Sequence, residues 1–433
     1  MIVLECVAGK DEHRKIAVDG RAVKIGAAAV QPALAITELD AAQGWLIVRV
    51  DGGTLIVDAT SCGVPVYVNN EVVRSTAVRE PDVLRVGNSV WRARYGGGSL
   101  KEHFTQLIGL EELKDFRLGE IFSEVFKRHT EEEMEEQLVT GTSRNTPALA
   151  DLKVGWAKPW LFARLLGVSV VLAFVLYEGW VMFQNIKLLP GLIFLGSFAV
   201  PISALVFFLE MNVPRNVSIF KITQLLFIGG VASIILALIF FDRTDFLESY
   251  LGASAAGIVE ESAKMLIVIL LMGKSGRYPW ALNGLLIGAA VGTGFAAFES
   301  AGYAFENMLR GGVEGGMATI ELRGILAPFG HIVWTANAAA ALWIVRGARD
   351  FSWDMVRAPA FLRIFLSGVI LHMIWNAPFV LLRLPMVGDL KFLLLGVVAW
   401  VICFRLVQAG LKQLNTARQE AAVAAATALP SVE

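Results

Sequence analysis

Two apolar rhythms divide the chain near residue 160. Beyond it, apolar residues gather into eight runs, at about 160–183, 188–209, 219–241, 249–272, 280–306, 325–346, 361–382 and 391–409. Each is close to the roughly 20 residues that a helix needs to cross the hydrocarbon core of a bilayer. Before residue 95 the runs are short and β-rich, as in Gly44 to Val50, Thr54 to Val57 and Val64 to Val68, and turn signals at Asp51-Gly52-Gly53 and Asn69-Asn70 separate them. Such a pattern predicts a small β-sandwich. Between the two regions Leu107, Leu110, Leu113, Ile121, Phe122, Val125 and Phe126 recur at spacings of three and four. That spacing predicts an amphipathic helix, or a pair broken at Gly109 and Gly119. The acidic run from Glu131 to Glu136 reads as a solvated helical face, and residues 141–159 as a linker. The expected fold class is a mainly α membrane protein: a bundle of eight transmembrane helices preceded by a small cytoplasmic β-sandwich and an amphipathic helical linker. Its expected divisions are 1–98 for the sandwich, 99–157 for the helical segment and linker, 158–410 for the bundle and 411–433 for a disordered tail.

Composition agrees with the second rhythm. The 433 residues are 55% hydrophobic and 18% charged, with a mean hydropathy of +0.60, too apolar for a soluble chain of this length. The net charge of −1 carries no basic excess, which argues against a nucleic-acid partner. Cys6, Cys62 and Cys403 have no paired spacing and imply neither a disulfide framework nor a zinc ribbon. The opening residues read as a folded domain and not as a leader, so targeting is assigned to the first apolar run. Alternate loops carry Arg215 and Lys221, then Lys274 and Arg277, then Arg346, Arg349, Arg357 and Arg363, while the opposite loops hold Asp242, Asp245, Glu248, Glu314 and Glu321. The positive-inside rule then puts both termini in the cytoplasm.

Charge inside the apolar runs changes the picture from architecture to chemistry. Glu260, Glu261 and Lys264 sit within the fourth run, where each costs roughly 2.5 to 3.5 kcal/mol at the centre of a membrane helix and therefore needs a partner or a task. On a helix Lys264 reaches either glutamate, at i+4 or i+3, while the two glutamates diverge by about 100°. Three further polar insertions follow: Glu299 four residues after Phe295, His331 four before Thr335, and His372 four before Asn376. Of five histidines in the chain, His331 and His372 are the two within apolar runs.

Glu-Glu-x-x-Lys, then Phe-x-x-x-Glu, then a histidine helix, then His-x-x-x-Asn resembles the PrsW-type intramembrane proteases, relatives of the CAAX prenyl endopeptidases and the bacteriocin-immunity membrane proteins, over residues 160–410. The resemblance implies an active site of Glu260, Glu261, Glu299, His331 and His372, supported by Lys264 and Asn376. CAAX enzymes usually carry histidine where this chain has Glu299, which places it on the PrsW side and argues against a prenylated substrate. The resemblance also implies a bacterial inner-membrane enzyme acting on a membrane-anchored protein such as an anti-sigma factor; a cytoplasmic protein partner is the expectation for the N-terminal domain, which lies outside the resemblance. Two mechanisms fit the residue types. In one, Glu299, His331 and His372 hold a divalent ion such as zinc while Glu260 or Glu261 activates water. In the other no metal takes part, Glu260 and Glu299 activate water directly, and His372 with Asn376 donates to the oxyanion. There is no Gly-x-Ser-x-Gly elbow and no Gly-x-Gly-Asp signature. Competing readings are a proton- or ion-coupled transporter, which intramembrane carboxylates and histidines also mark, and a protease-like scaffold without catalysis. Counting about 1.5 Å per residue along helices of alternating direction puts Glu260, Glu299, His331 and His372 in the same outer half of the membrane.

Residues Val57 to Gly63, Val66 to Glu71 and Val83 to Asn88 resemble the second half of a forkhead-associated domain. In that family phosphothreonine is held by an arginine after an early glycine and by a Ser-Arg-x-His segment. Here Ala27 follows Gly26, and no such segment precedes Trp45, so Asn69 is assigned to a turn and the domain to a structural or docking role. A phosphate needs fixed cationic and hydroxyl donors. Titration of the protein with paired peptides is therefore expected to show no preference for phosphothreonine over threonine; a strong phosphate-dependent affinity would overturn that alignment.

Overall fold

Strand pairing in the N-terminal unit makes two sheets. The computed structural model describes residues 2–18, 22–27, 34–37, 44–51, 54–95, 100–142, 144–274 and 276–427. It separates into units Met1–Phe104 and Thr105–Glu433. One sheet orders Lys15–Val18, Ile2–Ala8, Ser89–Tyr95, Val83–Val86, Val66–Val68 and Glu71–Val73; the other orders Leu34–Ala35, Val23–Gly26, Trp45–Asp51, Thr54–Asp58 and Ser75–Val78. Alternation along each strand sends Leu4, Cys6, Ile25, Leu46, Val48, Leu55, Val57, Leu84 and Trp91 into one shared core. Asn69 takes a left-handed φ of 52°, its amide donates to Asp82 Oδ1 at 2.7 Å, and its own oxygen accepts from Val83 N at 3.0 Å. It is a turn residue, as expected. The backbone N–H of Arg79, together with the Asn69 amide, holds the Asp82 carboxyl below the ordinary carboxylate range.

The second unit is built on eight long helices: α1 (Leu161–Phe183), α2 (Leu189–Met211), α3 (Ile219–Arg243), α4 (Ala255–Met272), α5 (Ala281–Leu326), α6 (His331–Arg346), α7 (Pro359–Asn376) and α8 (Leu390–Thr427). Among the described residues, 6 segments are long and apolar enough to cross a membrane, so the eight separate spans expected from the sequence are not shown. Two features account for the difference. Glu260, Glu261 and Lys264 make α4 too charged to qualify on composition. The apolar runs expected as spans five and six fall in one segment, Ala281–Arg346, in which only the turn Ala327–Phe329 and Gly330 separate α5 from α6. Within it the backbone leaves helical geometry at Gly311 and at Gly312, whose φ is 69°. The arm 313–326 folds back on 299–310, with Asn307 Nδ2 donating to Thr319 Oγ1 at 2.8 Å and Arg323 Nε to Ser300 Oγ at 2.8 Å.

Other expectations shift for local reasons. The amphipathic segment resolves into three short helices, Leu100–Ile108, Leu118–Ile121 and Glu131–Leu138, because Gly109 (φ 69°) ends the first and residues 122–126 form turns. Phe126 is 97% exposed, off the apolar face assigned to it. Glu131–Leu138 buries nothing and is closed by a Thr130–Glu133 capping box, as a solvated helix should be. The expected tail is helical instead through Thr427, since Leu411 and Leu414 are buried and Arg418 donates to Leu152 O at 3.1 Å. Residues 428–433 lie outside the described residues. Helix α7 stops at Asn376 rather than near 382, because Pro378 follows and disfavours helix at Ala377.

Small residues bring the helices into contact. Added Cβ atoms on Gly284 and Gly292 of α5 would lie 2.8 Å from Ala339 O and 2.6 Å from His331 O of α6, and one on Gly288 would strike Thr335 O. Gly294 meets the backbone of α3 at Leu226 and Gly230, beside the π-helical turn Leu225–Gly229, and Gly257 of α4 lies against the α7 backbone at Val369 and Met373. Apolar burial drives little association in lipid, so such close approach, which multiplies van der Waals contacts, does much of the work. Gly288→Val is expected to cost about 1–3 kcal/mol by overpacking. Thermal unfolding in detergent should show a lower midpoint for it than for Gly302→Val, where the added side chain meets nothing within 4 Å; equal midpoints would refute the packing argument.

Candidate active site

The close contacts of α4 with α7 and of α5 with α6 converge on one end of the helical unit. Glu260, Glu261 and Lys264 occupy the first turns of α4, His331 begins α6, and His372 lies one turn before the end of α7. Glu260, Glu261, Lys264 and His372 are buried; Glu299 and His331 are half-buried. The structure therefore gathers all the sequence-assigned groups, and it gives the two adjacent glutamates different partners.

Glu261 is held through one oxygen. Its Oε1 accepts from Lys264 Nζ at 2.6 Å and from His372 Nδ1 at 2.9 Å. Lys264 Nζ also lies 2.8 Å from His331 Nδ1 and stands 4.5 Å from the centre of the Phe295 ring. Removing one partner of such a buried pair leaves a bare charge and costs about 3–5 kcal/mol, so Lys264 and Glu261 depend on each other. Glu260 points the other way. Its Oε2 is buried with no hydrogen-bond partner among the described residues, 3.8 Å from both His331 Nδ1 and His372 Nε2. Glu299 lies on the far side of His331, 3.1 Å from Nε2, where Arg323 on the folded-back arm also pairs with it.

These groups open onto a cavity of about 300 Å³, lined by Glu260, Glu299, Arg323, His331, His372 and Asn376 together with Gly252 to Ala256, Tyr303 and Trp375. Asn376 stands on the wall. Thr335 does not join it; it is buried where Gly288 and Gly292 meet α6. A second cavity of about 140 Å³ reaches His331, Arg323 and Trp375 from the side of Leu322, Leu326, Trp334 and Phe392. Arg323, Tyr303, Trp334 and Trp375 were not singled out from the sequence. Arg323 carried a usable signal, a cation near the start of an apolar run, but its pairing with Glu299 needs the reversal at Gly311–Gly312.

Residues 217–407 match the PrsW family of intramembrane metalloproteases. No curated protein and no solved structure matches the chain. The family match covers the helices that carry Glu260, Glu261, Glu299, His331 and His372 and leaves the N-terminal sandwich outside.

The PrsW description implies a metal ion, and the donor set can be tested against it. Glu260, His331 and His372 each offer one ligand atom, all within 4.8 Å of one another. The unbonded Glu260 oxygen is the kind of buried atom that a cation would satisfy. His372 fits a ligand's role closely, because the contact of Nδ1 with Glu261 leaves Nε2 facing Glu260. Glu260 and His372 fit a divalent ion, and His331 offers Nδ1, 3.8 Å from Glu260 Oε2, which also faces Lys264 Nζ at 2.8 Å. This group holds Glu260 where the sequence pointed to Glu299, which lies 3.1 Å from His331 Nε2 and pairs with Arg323. Elemental analysis of purified protein is expected to show Glu260→Gln and His372→Ala lowering bound metal at least roughly tenfold, with Glu299→Gln retaining it. Metal lost on Glu299→Gln but kept on Glu260→Gln would restore the original assignment.

Proposed function

We propose that the protein is an intramembrane endopeptidase that hydrolyses a membrane-anchored protein, such as an anti-sigma factor, in a bacterial inner membrane. The observation that carries this reading is the convergence of an unbonded glutamate, Glu260, with two histidines on the wall of a polar cavity inside an apolar helical unit. The PrsW match over the same helices supports it. A divalent ion held by Glu260, His331 and His372 would supply Lewis-acid polarisation of the scissile carbonyl. The chain's own groups do the rest. Glu299 accepts the proton of the attacking water and passes it to the leaving amine nitrogen, as Arg323 balances its charge. Asn376 donates to the developing oxyanion, and Glu261, neutralised by Lys264, fixes the tautomer of His372. In the absence of a metal, Glu260 stands as a second base beside Glu299.

The smaller, mainly apolar cavity suits a substrate side chain next to the scissile bond, since Arg323, His331 and Trp375 line both cavities. In this reading α4 crosses the membrane as well, and the stretch Ala281–Arg346 crosses twice by reversing at Gly311–Gly312, which restores eight crossings. Both termini are then cytoplasmic, the catalytic end is extracytoplasmic, and the N-terminal sandwich, a degenerate forkhead-associated-like module, docks a cytoplasmic protein.

Cleavage of a purified single-span substrate in detergent tests the whole reading. Glu260→Gln, Glu299→Gln, His331→Ala and His372→Ala are each expected to lower turnover at least roughly a hundredfold in folded protein. Glu261→Gln should lose both turnover and stability, and Asn376→Ala should cost less. Normal turnover in all of the Glu260, Glu299, His331 and His372 variants would end the protease reading. Mass spectrometry of the products should place the cut at the extracytoplasmic end of the substrate's span, and a cut in its cytoplasmic third would overturn the topology.

A further inference from the structure

At the end of the helical unit away from Glu260, the carboxylate of Glu210 in the last turn of α2 accepts from three backbone N–H groups that open α1, Trp160 at 2.8 Å, Leu161 at 2.9 Å and Phe162 at 3.0 Å. The anion position at the start of that helix is thus already filled from within the chain. Glu210 also borders a cavity of about 520 Å³ whose other charged lining residues are Lys153, Lys158, Arg215 and Arg418. Four cations face one carboxylate, and that carboxylate is committed to α1. A positive cavity remains.

Its members are differently held. Arg215 and Arg418 are half-buried and anchored, donating to Glu136 O at 2.9 Å and Leu152 O at 3.1 Å. A guanidinium has five N–H donors in a planar fork, so each anchored arginine has donors to spare for an oxyanion. Lys153 and Lys158 are exposed at the rim. Trp156 and Trp160 complete the wall, and His129 stacks on Trp160 with ring centres 3.6 Å apart. Tryptophan beside lysine and arginine at helix ends is the composition of a membrane interface. Directly beyond the cavity runs α1, whose most apolar window is 0% buried and which exposes Val168, Val171, Leu172 and Val175. A phosphate in the cavity with acyl chains laid along α1 satisfies both surfaces at once.

We propose that this cavity binds the phosphate of an anionic lipid headgroup. The bound headgroup bridges the segment 153–158, the junction of α1 with α2, and the extension of α8 that carries Arg418. This site is independent of the peptidase reading.

Native mass spectrometry of the full chain in detergent, with phosphatidylglycerol and phosphatidylcholine in competition, tests it directly. Phosphatidylglycerol is expected to bind at least roughly tenfold more tightly, because choline is repelled by the same cations that attract the phosphate. The double variant Lys153→Gln/Lys158→Gln, which leaves the hydrogen bonds of both arginines in place, should abolish that preference and any rise in unfolding midpoint that comes with it. Millimolar orthophosphate as a third arm distinguishes the source: displacement of the lipid by orthophosphate assigns the same cations to a soluble phosphate. Equal binding of the two lipids with orthophosphate inert, or a preference that survives the double variant, would overturn the proposal.

Discussion

The buried ammonium of Lys264 is the constraint on which the site depends. It lies at full burial on a helix that is apolar apart from Glu260, Glu261 and Ser262, and it is stabilised by one carboxylate on its own helix and one imidazole from α6. Glu261 completes the arrangement by joining the same ammonium to His372 on α7. One ion pair thereby ties three helices together. The cost of burying it is offset by such pairing: Glu261 Oε1 takes two partners, while Oε2 of Glu260, one residue away and turned by about 100°, has no hydrogen-bond partner among the described residues.

Such a network needs helix axes closer than ordinary side chains allow. The glycines at 284, 288 and 292 bring α5 onto α6, and Gly257 brings α4 onto α7, so backbone meets backbone. The two contacts set where His331 faces Glu299 and where His372 faces Glu261. Packing and chemistry are therefore one problem here: a shift of one turn, about 5.4 Å, along either contact would separate partners now within hydrogen-bond reach.

The folded-back arm adds a third layer. Arg323 reaches Glu299 across a reversal of the chain and stands between a polar cavity on one side and an apolar one on the other. Charge at the opposite end has another arrangement. There Glu210, the one carboxylate among the cavity's described lining residues, closes the start of α1, beside Lys153, Lys158, Arg215 and Arg418. The helical unit thus gathers carboxylates and histidines at one end and cations at the other.

Much of this was legible in the residues themselves. Apolar run length marked where helices lie, because hydrocarbon thickness sets a length that composition must match. The polar residues of the site stood out because charge in such a run is expensive, and Glu260, Glu261, Glu299, His331 and His372 do come together. What the sequence by itself could not determine was the division of labour among them. Whether Glu260 or Glu299 is unbonded depends on Arg323, which is 24 residues from Glu299 in the chain and adjacent only after the reversal at Gly311–Gly312. The break of the amphipathic segment and the helical course of residues 411–427 depended likewise on tertiary partners, since periodicity shows which residues share a face and not whether anything lies opposite it. Local pattern determined the elements and the chemical types; distance through space decided which carboxylate is paired and which is unbonded.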